Sequence, residues 1–108
     1  MLHWAALLTA VASLIVGHHV PVSCAHPPGT PWTGRIYGYA VWPPEHIYLR
    51  DCRNTVRLRY RMGVVYSHEI LHVEHKRWPH WRIYATADWY WLTVVRRELW
   101  KEEHGLHA

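Results

Sequence analysis

The chain has 108 residues, a formal charge of +4 and only two cysteines, which limits it to one small domain whose core is marginal by burial alone. Eleven of its twelve Lys and Arg residues follow residue 49, a basic bias too dispersed for a nucleic-acid footprint, so no nucleic-acid partner is expected. Eight Trp and seven Tyr with no Phe favour half-buried, interfacial and membrane-surface positions over a dry interior.

In chain order, Trp4 to Gly17 is free of charge, about as long as a signal-peptide hydrophobic region and short of the roughly 20 apolar residues a membrane span needs. Ser23-Cys24-Ala25 then offers a small-residue cleavage site, while the only positive groups ahead of the apolar run are the α-amino group and His3. Residues 1–25 therefore read as a signal peptide, a retained short anchor or a leader lipidated at Cys24, each of which predicts export to the periplasm, the envelope or the medium. Cys24 and Cys52 can pair in an oxidising compartment, and a single buried thiol is the plainer reading. The absence of any CxxC pair excludes a thiolate zinc knuckle.

Residues 26–34, with three prolines and two glycines, read as a linker before a domain spanning 35–108. Arg35–Trp42 and His46–Arg50 are rich in aromatic and β-branched residues and read as strands. Residues 55–62 alternate Val56, Leu58, Tyr60 and Met62 with Arg57, Arg59 and Arg61, the period of a third strand with a solvated face. "DCRN" would close a hairpin between the second and third strands. A helix over 55–62 is the competing reading, and Gly63 counts against it.

From Val64 to Trp78 good helix formers run up to Pro79, and a second helix from Trp81 to about Glu103 follows a very short connection, so the two should pack antiparallel. The expected architecture is α+β: about three strands beside a helical hairpin.

The first of these helices carries His68-Glu69-Ile70-Leu71-His72, an H-E-x-x-H unit. Histidines at i and i+4 stand one turn apart on one face and can share a divalent cation, with the intervening Glu beside them. In this unit and its helix the chain resembles the zincin metallopeptidases. The resemblance implies zinc held by His68 and His72, Glu69 as general base toward a zinc-bound water, and hydrolysis of a peptide or cell-wall peptide substrate.

A zincin needs a third ligand. His75 and Trp78 stand where the metzincin extension would need Gly and His, which excludes that subclass. On a helical wheel of 100° per residue, Asp88 falls amid Trp81, Tyr84, Ala85, Trp91, Leu92, Val95 and Leu99, so it is the expected third metal ligand. A hydrogen bond from a ligand imidazole to Asp88, a salt bridge from Asp88 to Arg, and ligation by His75, Glu98, Glu102 or Glu103 remain as alternatives, while His80 after the proline should face solvent. In zincins an edge strand aligns extended substrate, and His46–Arg50 is the candidate, although a plain sheet strand is the simpler reading of its composition. The competing function is a non-catalytic metal-binding or envelope-associated protein, and the Trp-rich second helix leaves membrane association open.

Overall fold

A computed structural model describes residues 4–105, so the His3 end of the expected leader and the C-terminal residues 106–108 lie outside the described residues. The chain is α+β, with a small three-stranded mixed sheet covered by helices. It opens with α1 (Trp4–Val16) and continues through β1 (Val22–Ser23), β2 (Gly38–Val41) and β3 (His46–Leu49). Then come α2 (Cys52–Val56), α3 (Tyr60–Glu74), α4 (His80–Tyr90), a π-helical turn (Trp91–Val95) and α5 (Arg96–His104).

Both expected aromatic strands form, each shorter than anticipated, and they pair antiparallel with Tyr39 opposite Tyr48 and Ala40 opposite Ile47. The third strand does not lie at 55–62. It is β1, paired parallel with β3, so the order is β1-β3-β2 and β3 is the central strand. His46–Arg50 is therefore not the edge strand; β2 is.

The expected hairpin at "DCRN" is replaced by a capped helix. Asp51 Oδ1 accepts the backbone N–H of Asn54 at 3.0 Å and Oδ2 accepts its side-chain amide at 2.8 Å, while Thr55 Oγ1 donates to the Asp51 carbonyl. These local bonds supply the partners that the first turn of a helix lacks, and they outweigh the strand-like alternation. Leu58, at φ 60°, separates α2 from α3. The alternation survives only in part: Val56 and Met62 are buried and Leu58 half-buried, but Tyr60 is exposed together with Arg57, Arg59 and Arg61.

Gly63 lies inside α3, against its helix propensity. A Cβ there would stand 2.2 Å from the Trp91 ring, so the glycine lets the indole seat directly on the α3 backbone. That close crossing fixes α3 against the long C-terminal helix.

Helix α1 shares this core. Leu8, Val11 and Ala12 are fully buried with Val20, Ile47, Ile70, Val95 and Leu99, and the Tyr66 hydroxyl donates to the Leu8 carbonyl. The buried residues of α1 and β1 thus share one hydrophobic cluster with those of β3, α2, α3 and the C-terminal helix, while Leu71, Ile83 and Ala87 form a second, smaller one. Cys24 and Cys52 are joined by a disulfide that ties the end of β1 to the start of α2.

The long C-terminal helix buries Ile83, Ala87, Trp91, Val95 and Leu99, every fourth residue. In an ideal helix that spacing drifts about 40° per step, and the wider π turn at Trp91–Val95 takes up the drift. A wheel of constant 100° per residue therefore misplaces the face: Trp81, Tyr84, Ala85, Asp88 and Leu92, expected to face inward, are exposed.

Candidate metal centre

His68 and His72 sit one turn apart near the end of α3, and their Nε2 atoms are 3.1 Å apart. A short connection, His75–Pro79, then turns the chain back, and Pro79 forms the N-cap of α4. This places His80, first residue of α4, over the pair, with ring centroids 4.8 Å from His68 and 5.5 Å from His72. One ring nitrogen from each of the three lies within 4.8 Å of the others.

Burial, aided by the nearby charges of His72 and His80, brings the His68 pKa down to about 4, and burial also lowers that of His72. Both rings are then neutral at physiological pH, the form in which imidazole binds a metal. Zinc–nitrogen bonds of about 2.0–2.1 Å set tetrahedral ligand nitrogens about 3.3 Å apart, close to the His68–His72 spacing. His80 is exposed at the mouth of the group, its ring nitrogen within 4.8 Å of the other two. A neutral three-imidazole set suits zinc, copper, nickel or iron better than calcium or magnesium, which prefer oxygen.

Glu69 projects from the same helix turn into the adjoining cleft. It is 7% exposed, and burial raises its pKa to about 8. No group donates a hydrogen bond to it among the described residues, although it borders a cleft of about 400 Å³ lined also by Arg35, Tyr37, His68, His80 and Tyr84. Room for the carboxylate comes from Gly38 of β2, where a Cβ would stand 3.0 Å from Glu69 Oε2.

The remaining sequence candidates are placed apart from the three imidazoles. Asp88 is exposed on the rim of the cleft and accepts the Tyr60 hydroxyl at 2.8 Å, outside the histidine group. His75 ends α3 with its ring stacked on Trp78 at 3.7 Å, and Arg82 covers Trp78 as well. Glu98 pairs with Lys101, and neither Glu98, Glu102 nor Glu103 belongs to the histidine group. His80 is exposed, as expected, yet it is the residue that sequence reasoning passed over as a member of the histidine group. Its signal was present: a proline-started helix after a short connection must lay its first turn over the end of the preceding helix.

No protein family, curated protein or solved structure matches this chain.

Proposed function

We propose that the protein is a small zincin-like zinc metallopeptidase, with His68, His72 and His80 as metal ligands and Glu69 as general base. The observation that carries this reading is the meeting of three imidazole nitrogens at a cleft beside Glu69, a mostly buried residue whose carboxyl oxygens open onto that cleft. Carboxyls whose titration is shifted by burial concentrate at sites that use them.

Zinc, when bound, supplies a Lewis acid for the scissile carbonyl and makes an attacking water more acidic. Glu69 would be held as the carboxylate beside a bound dication, despite its burial. Glu69 then accepts the proton of the attacking water and returns it to the leaving amine. The ligands hold their geometry through the α3 backbone and the Pro79 turn. The free edge of β2, next to the lining residues 35–38, offers backbone groups along which an extended peptide can lie. The cleft is shallow, which suits exposed or flexible peptides, including cell-wall peptides. The Cys24–Cys52 disulfide supports an oxidising, extracytoplasmic location.

The test is hydrolysis of an unstructured peptide mixture by the zinc-loaded parent and by Glu69→Gln. Cleavage by the parent and its loss in the variant, at equal zinc content, supports the reading. Equal cleavage by both sinks it. Zinc bound by both without cleavage by either points to the non-catalytic metal-binding alternative.

A further inference from the structure

The long helix built from α4, the π turn and α5 turns its inner side to the core, and its outer side is not the polar face expected of a surface helix. Trp81 is 71% exposed, Tyr84 72% and Trp89 60%, and Leu92 and Trp100 are exposed as well. Toward α5 this surface runs into a groove of about 580 Å³ floored by Leu58, Leu92 and Trp100 and edged by Arg96, Arg97 and Lys101. Leu58 occupies the left-handed backbone region, at φ 60°, which is unfavourable for a leucine. Leu58 also packs against the core, so that conformation joins α2 to α3 and sets its side chain at the groove floor.

Arg96 and Arg97 are exposed cations on this face, Lys101 is paired with Glu98, and Asp88 and Glu103 are exposed acids flanking the aromatics. No acid lies within ion-pair distance of Arg96 or Arg97 among the described residues. Asp88, on the same outer side, is engaged by the Tyr60 hydroxyl. Exposed aromatics alone would suit a protein partner equally well, but unpaired guanidiniums interleaved with tryptophans complement an anionic surface with an apolar interior. Trp and Tyr settle at headgroup depth because one end is apolar and the other hydrogen-bonds, and Arg reaches lipid phosphate. Among the described residues no helix is long and apolar enough to cross a bilayer, so contact would be lateral.

We propose that the outer face of α4–α5 is a docking surface for an anionic lipid bilayer. Trp81, Trp89 and Trp100 enter the headgroup layer, and Arg96 and Arg97 contact lipid phosphates. The helix lies flat, and the cleft walled by Tyr84 of the same helix opens beside the bilayer. This surface does not depend on the zinc reading.

The experiment is co-sedimentation of the full chain with vesicles of phosphatidylcholine alone or containing roughly a third phosphatidylglycerol. The parent should bind the mixed vesicles and leave the neutral ones largely free. Arg96→Glu with Arg97→Glu should lower partitioning at least about tenfold, and Trp81→Ser with Trp89→Ser should lower it as well. Arg50→Glu with Arg53→Glu, exposed residues outside the groove, should retain most of it. All these positions are exposed, and circular dichroism checks that each variant folds. Absence of vesicle binding by the parent overturns the proposal, as does binding indifferent to the Arg96/Arg97 and Trp81/Trp89 changes. A dimer in sedimentation velocity that the Trp81/Trp89 change dissociates, without vesicle binding, overturns it in favour of a second copy.

Discussion

Gly38 of β2 faces Glu69 of α3 so closely that a methyl group on the glycine would stand 3.0 Å from the carboxylate oxygen and 3.0 Å from Val65 Cγ1. The sheet thus sets the position of the proposed base through a missing side chain. Gly38→Ala should push Glu69 off its position while leaving the imidazoles in place. We expect peptide hydrolysis to fall at least about tenfold with zinc content unchanged, since misplacement by a fraction of an ångström is costly in a positioned site. Steady-state kinetics and metal analysis on the same preparation check this.

The second close approach, Gly63 against Trp91, makes a prediction about stability. Alanine is ordinarily better in a helix than glycine by about 1 kcal/mol. Here its methyl would fall 2.2 Å from a buried indole, so Gly63→Ala should destabilise by about 3 kcal/mol or more and lower Tm by at least about 10 °C. Thermal unfolding that gave a higher Tm would show that α3 and the π turn are not in contact.

Burial of Glu69 predicts how stability varies with pH in chelator-treated protein. Its folded pKa, about 8, lies above the ordinary 4.5, so the folded state holds the proton more tightly than the unfolded one. The contribution is fully present below about pH 4.5 and is lost as pH rises toward 8, roughly 3 kcal/mol of it by pH 7. Glu69→Gln removes this contribution and leaves the opposite one of His68 and His72, whose lowered pKa values favour the folded state as pH rises. Denaturant unfolding at pH 5 and pH 7.5 should show the variant gaining on the parent as pH rises.

Short-range patterns in the sequence were enough for the i, i+4 histidines with Glu69, the helix around them, the two aromatic strands and the antiparallel return after Pro79. The features it hid depend on tertiary packing or on geometry away from the ideal. The Asp51 cap turned a strand-like run into helix, and Trp91 required a glycine where propensity discouraged one. The π turn shifted the phase of the second helix, which took Asp88 out of the inner face and left Tyr60 as its partner. The apolar run in α1 resembles a leader in composition and packs as core, because helix burial and signal-peptide hydrophobicity draw on the same residues.

The decisive measurement is the zinc stoichiometry and affinity of the parent beside His72→Ala, His80→Ala and Asp88→Asn. Three converging imidazoles predict close to one zinc per parent chain, affinity reduced at least about a hundredfold in both histidine variants, and parent-like affinity in Asp88→Asn. A parent without zinc would contradict the proposed centre, and so would a His80→Ala variant that kept full affinity while Asp88→Asn lost it.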